Sequence, residues 1–209
     1  MAGELEALAT TAARLGRAVR PRKPARRRPP NLYFLTDPAR TPDPARVMRR
    51  LPRGAAVIFR TFGQPKGLAR AASLRALARS CGLVFLVGAD ARLASRLQAD
   101  GVHLPERLMR LGPALRRRHP RWLITTAAHS PRALALAARL GLDAALLSVV
   151  FPSQSPSAGR AMGALRFAAQ VRAARLPVVA LGGIDARTAR RLVGSGAHGL
   201  AAVGGLARP

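Results

Sequence analysis

The chain has 209 residues, 49% of them hydrophobic, and a formal net charge of +27 from 36 basic against 9 acidic side chains. That length suits one domain with a sizeable core, no apolar run reaches the roughly 18 residues that span a bilayer, and the single cysteine, Cys81, can form no internal disulfide. With 4% aromatics and no recognition motif, specific nucleic-acid binding is not expected, although so basic a chain binds polyanions nonspecifically through counterion release.

Glu4 and Glu6 open the chain where a secretory signal would be basic and then apolar, so a cytoplasmic protein is expected. Leu5, Leu8, Ala12, Leu15 and Val19 recur at helical spacing and predict an amphipathic helix over 4–19. Residues 20–30 contain Arg20-Pro-Arg-Lys-Pro-Ala-Arg-Arg-Arg28, too rich in proline for regular structure. Residues 1–30 therefore read as a helix and basic arm ahead of a barrel domain at 31–209.

Apolar strand segments then begin near Leu32, Ala55, Leu83, Gly101, Leu123, Ala144, Pro177 and Gly199. Helical segments separate them at 43–51, 67–80, 90–99, 105–118, 131–140, 163–175 and 185–194. Continuous apolar runs are the habit of strands buried on both faces. Eight of them alternating with seven helices predict an α/β fold with a parallel sheet closed as a (β/α)8 TIM barrel. No eighth helix follows the eighth strand, and the helix at 4–19 is expected to substitute for it at the seam between last and first strands. A loosely attached tail is the alternative. Cys81, Trp122 and Met109 read as core fillers, and His198, just ahead of the eighth strand, as structural.

The last two strands each end on paired glycines, Gly182-Gly183 and Gly204-Gly205. Bare backbone there can donate N–H groups to an anion, and the last two loops of such barrels commonly hold phosphate. The same glycines also suit tight strand-to-helix turns. Two histidines fall at strand ends, His103 and His129, and histidine suits proton transfer near neutrality. Each has a structural alternative: a satisfied barrel histidine for His103, and a cap on the helix starting at Pro131 for His129. Asp37 reads as an acceptor of backbone N–H groups in the first loop.

From Leu32 to Leu206 the chain resembles the thiamine phosphate synthase/TenI family. The matching pieces are Tyr33-Phe-Leu-Thr-Asp37, Ala99-Asp-Gly-Val-His-Leu104, His129-Ser130, Val150-Phe-Pro-Ser-Gln-Ser155, Ala180-Leu-Gly-Gly-Ile184 and Gly196-Ala-His-Gly-Leu-Ala-Ala-Val203. The resemblance implies one of two chemistries in thiamine biosynthesis. A synthase joins a pyrimidine diphosphate to a thiazole phosphate with Mg2+ and loss of pyrophosphate. A TenI-type protein tautomerises a thiazole carboxylate phosphate without metal, using a histidine that matches His129; Pro105 also resembles that branch.

The pattern departs from the synthase at several places. Its Gln-x-Arg-x-Lys becomes Ile58-Phe-Arg-Thr-Phe62, which leaves Arg60. Its Asn-Asp becomes Gly88-Ala89 with Asp90 one place late, and its second metal carboxylate falls on Leu108, with Glu106 offset. Its Thr-x-Thr-Lys becomes Ser153-Gln-Ser-Pro156. The resemblance thus implies His129 and Arg60 as catalytic candidates, Ser153, Ser155 and His103 as substrate contacts, and Gly182, Gly183, Gly204 and Gly205 around a phosphate. No metal ligands or cofactor are expected, with Mg2+ needed only if synthase activity is retained. The partner implied is a phosphorylated small molecule, bound with weakened synthase activity, by a tautomerase, or by a catalytically inactive barrel. A homodimer is compatible with this reading.

Overall fold

Eight short apolar strands pair in chain order and close on themselves. In a computed structural model that describes residues 3–18, 28–60, 67–155 and 159–207, the strands are β1 (Leu32–Leu35), β2 (Ala56–Phe59), β3 (Val84–Gly88), β4 (Gly101–Leu104), β5 (Leu123–Ala128), β6 (Ala144–Leu147), β7 (Val178–Leu181) and β8 (Gly199–Ala202). All pairings are parallel, and β8 returns to β1 with Leu32 opposite Leu200 and Phe34 opposite Ala202. The helices are α1 (Glu4–Ala18), α2 (Pro44–Arg50), α3 (Gly67–Ser80), α4 (Ala91–Arg96), α5 (Gly112–Arg118), α6 (Pro131–Arg139), α7 (Gly163–Ala173) and α8 (Ala186–Arg190). The arm over 19–27, with Val19, and the positions Phe62 and Pro156 lie outside the described residues.

Strand alternation divides the core in two. Tyr33, Leu35, Ala56, Ile58, Leu86, Leu123, Leu146, Val179 and Ala201 fill the barrel. Phe34, Val57, Phe85, Val102, Ile124, Ala145 and Leu200 point outward and meet the helices. Trp122 and Met109 are buried, as expected. Cys81 is only half-buried, because it directly follows the exposed end of α3, and its thiol lies 4.0 Å from the Ser80 hydroxyl. The helix expected over 105–118 is divided. A 3-10 helix spans Glu106–Leu111, and α5 restarts at Gly112 with Pro113 in its first turn, where a missing N–H costs nothing.

Helix α1 lies over the seam of the barrel. Leu5, Leu8, Ala12 and Leu15 bury one stripe against it, each leucine contributing about 1.5–3 kcal/mol before ordering entropy. The first turn of α1 meets the start of α8, where Glu4 Oε1 accepts the Ala186 N–H at 3.4 Å. The last turn meets Asn31 and His198 at the starts of β1 and β8, and the Arg28 guanidinium donates to the Gly16 carbonyl at 2.7 Å. The helix therefore runs antiparallel to the strands, as the other helices of a (β/α)8 barrel do.

The floor repeats one device. Asp100, just ahead of β4, accepts the Phe85 N–H at 2.9 Å and pairs with Arg75 at 3.3 Å. Asp143, just ahead of β6, accepts the Ile124 N–H at 2.6 Å and pairs with Arg116. His198 is buried on the same floor. Its Nε2–H donates to the Pro29 carbonyl at 2.8 Å, and burial, aided by the charge of Arg28, outweighs that bond and holds its pKa below the ordinary value.

Candidate active site at the C-terminal mouth

Every strand ends at the mouth, so its polar groups come from the loops that follow β1 to β8. Most helix starts there are capped by short polar side chains. Asp43 accepts the Arg46 N–H, Asp90 accepts the Leu93 N–H, Ser130 accepts the Ala133 N–H, and Asp185 and Thr188 form a reciprocal capping box. Ser130 is thus the cap of α6, and His129 is not.

One side of the mouth is built around Asp37 and Arg60. Arg60 follows β2; its N–H donates to the Thr36 hydroxyl at 3.0 Å, and its Nε–H to the Thr36 carbonyl at 2.8 Å. Its guanidinium lies 3.4 Å from Asp37 Oδ2, which Arg40 also holds, at 2.7 Å. The Ala39 and Arg40 N–H groups donate to Asp37 Oδ1, the backbone role expected of this residue. Burial works to raise the Asp37 pKa, but the hydrogen bonds from Arg40 and the charges of Arg40 and Arg60 prevail and hold it below the usual value. Burial lowers the Arg60 guanidinium to about 10, with Arg40 pushing the same way and Asp37 opposing.

His103 sits inside the barrel wall on β4, opposite Thr125 in register, with Nδ1 3.0 Å from the Thr125 hydroxyl. Burial, then the nearby charge of Arg60, lowers its pKa to about 3. This histidine is neutral across the physiological range.

The opposite side of the mouth carries His129, exposed just past β5. Its N–H donates to Glu106 Oε2 at 2.8 Å, and its Nδ1 lies 3.2 Å from both the carbonyl and the hydroxyl oxygen of Ser148. Sequence reasoning missed Ser148, which falls within an apolar run and carries no motif. It weighed Glu106 only as a displaced metal ligand.

The glycines divide by what surrounds them. A side chain at Gly182 would strike Val149 at 2.8 Å, and one at Gly183 would strike the Pro152 carbonyl. Both hold positive φ, and the loop after β6 lies against them, with the Phe151 N–H donating to the Gly182 carbonyl at 3.0 Å. Gly205 packs against the Ile184 carbonyl in the same way, whereas Gly204 faces open space. Ser153 and Ser155 lie further along the β6 loop, where the Ser155 N–H donates to Ser153 Oγ at 3.3 Å.

Asp90 gives one oxygen to its helix cap and Glu106 gives one to the His129 N–H, on separate loops. Among the described residues no three His, Cys, Asp or Glu side chains form a metal-binding group. Also among them, no helix is long and apolar enough to cross a membrane.

Fold and polar mouth together define a (β/α)8 barrel of the kind that places its chemistry on the βα loops. A family model described as thiamine monophosphate synthase matches residues 32–206. The thiamine-phosphate synthase of Thiobacillus denitrificans is 34% identical over 194 residues, spanning 85% of this chain and 87% of that protein. That of Thioalkalivibrio sulfidiphilus is 36% identical over 148 residues, 69% and 70% of the two chains. The solved thiamine phosphate pyrophosphorylase of Pyrococcus furiosus superposes with a TM-score of 0.72 at 27% identity, covering 84% of this chain and 86% of that one. The chain belongs to the thiamine monophosphate synthase family, a family of thiamine biosynthesis.

Proposed function

We propose that this chain binds a thiazole phosphate at the barrel mouth and retains at most a weakened synthase activity. The observation that carries this reading is the division of labour at the mouth. Arg60 brings a cation to the mouth, held there by Thr36 and Asp37, and the backbone at Gly204 faces open space, while Asp90 and Glu106 each give an oxygen to a main-chain N–H. Pyrophosphate departure requires several preorganised charges, each contributing about 2.7–4 kcal/mol to the transition state. Of the family's strand pattern only Arg60 persists, and the sixth-loop lysine is replaced by Pro156.

A second reading, metal-free tautomerisation of a thiazole carboxylate phosphate, is favoured by the setting of His129. Its ring is exposed, is tied at Nδ1, and has no partner for Nε2 among the described residues. Calorimetry with thiazole phosphate, with and without the pyrimidine diphosphate and Mg2+, tests the first reading. Binding of thiazole phosphate is expected, with little or no added response to the other two. Efficient Mg2+-dependent turnover overturns the weakened-synthase reading, and turnover of the thiazole carboxylate without Mg2+ favours the tautomerase.

A further inference from the structure

Glu106, His129 and Ser148 come from three consecutive loops, those after β4, β5 and β6. The two outer residues grip the middle one at different atoms. Glu106 Oε2 accepts the main-chain N–H of His129 at 2.8 Å, which fixes the backbone at the end of β5. The Ser148 carbonyl, 3.2 Å from Nδ1, meets the ring. Ser148 is itself anchored, because its N–H donates to the Ala128 carbonyl at 3.0 Å and so extends the β5–β6 ladder by one rung.

A carbonyl oxygen can only accept. A neutral His129 therefore carries its proton on Nδ1, and the Ser148 hydroxyl, also 3.2 Å away, accepts rather than donates. The lone pair is left on Nε2. We propose that Glu106 and Ser148 are positioning residues that fix His129 as the Nδ1–H tautomer and present Nε2 as a proton acceptor. The proposal rests on the proton-transfer reading of this site. When Nε2 takes a proton from a ligand carbon and later returns it to another position, Nδ1–H keeps the same acceptor throughout. In the charged ring that hydrogen bond becomes charge-assisted, so the intermediate state is stabilised without any movement of the loop.

The test joins a spectroscopic readout to a kinetic one on the full chain. Long-range 1H–15N correlation of 15N-labelled protein at pH 9, with His129→Asn to assign the signals, is expected to show a single tautomer protonated at Nδ1. Ser148→Ala retains the backbone carbonyl and is expected to keep that tautomer. Glu106→Ala releases the loop and is expected to give a mixture of tautomers, whereas Glu106→Gln, whose amide oxygen still accepts the N–H, restores the parent spectrum. With thiazole carboxylate phosphate as substrate, Glu106→Ala should lower kcat about tenfold or more with little change in KM, the scale of a misplaced reacting group, and Glu106→Gln should recover it. A parent ring protonated at Nε2, or a switch to that form in Ser148→Ala, overturns the proposal, as does a Glu106→Ala variant unchanged in both spectrum and kcat. A parent protein that shows the Nδ1–H tautomer but turns over no thiazole upholds the positioning and overturns only the proton-transfer reading.

Discussion

His103 and His129 are both strand-end histidines in the sequence, yet the barrel treats them in opposite ways. Alternation along β4 turns His103 inward onto Thr125, while His129 lies one residue beyond β5 in an exposed loop. A shift of one or two residues at a strand end decides this, and that is finer than apolar periodicity can resolve. The burial of His103 makes stability depend on pH. Folded, it takes a proton only at about 3, whereas an unfolded histidine takes one near 6.5. Between those values the unfolded chain binds more protons, so stability is full above about pH 6.5 and declines as the pH falls. Urea midpoints should show a loss of about 2 kcal/mol between pH 6.5 and 5 from this group alone, and His103→Asn should flatten that slope. Asp37, whose pKa is depressed, adds a further loss as the pH falls below the ordinary carboxylate range.

The glycine pairs were legible as strand ends, but not for which purpose each glycine serves. Gly183 is required by the carbonyls of Phe151 and Pro152, whereas Gly204 has open space where a side chain would go. Gly183→Ala is expected to cost about 1–3 kcal/mol in backbone strain alone, read by urea unfolding, with the close contact adding to it. Gly204→Val should fold with near-parent stability yet weaken thiazole phosphate binding about tenfold, the scale of one charged hydrogen bond lost. Equal binding in that variant would place the phosphate elsewhere on the protein.

At the scale of elements, the barrel was readable because each buried parallel strand is a short apolar run, and all eight fall where such runs begin. The helix expected over 4–19 was readable from its stripe of Leu5, Leu8, Ala12 and Leu15, and it lies over the seam between β8 and β1. Less legible was the break at Gly112-Pro113, since the apolar pattern continues across it. Leu8 is fully buried, so Leu8→Ala should destabilise by about 2–5 kcal/mol. Removing residues 1–30 should lower the melting temperature sharply or leave the protein insoluble. An unchanged melting temperature would show that the seam does not need α1.

Over the whole molecule, the few acidic residues share one structural role. Of the nine carboxylates, eight accept a main-chain N–H: Glu4, Asp37, Asp43, Asp90, Asp100, Glu106, Asp143 and Asp185. The acids are kept where the backbone needs an acceptor, and the surface is left to arginine. Asp143→Ala should therefore cost about 1.5–3 kcal/mol in a urea titration, the scale of a hydrogen bond to a charged group. The intact protein should bind heparin with a log affinity that falls linearly with log salt, whatever the polyanion's sequence.

Glu4 and Ala186 touch across 182 positions of chain. Helix α1 precedes every strand in chain order, yet α8 and β8, against which most of it packs, are the last elements of the barrel to be made. During synthesis those leucines lack most of their partners until the end of the barrel has been made. Closing the ring is therefore a late step whose entropy is paid over nearly the full chain, and such distant contacts slow folding. A circular permutant that carries α1 directly after β8 turns this into a local contact. It should refold faster than the parent in stopped-flow dilution from urea while reaching the same barrel.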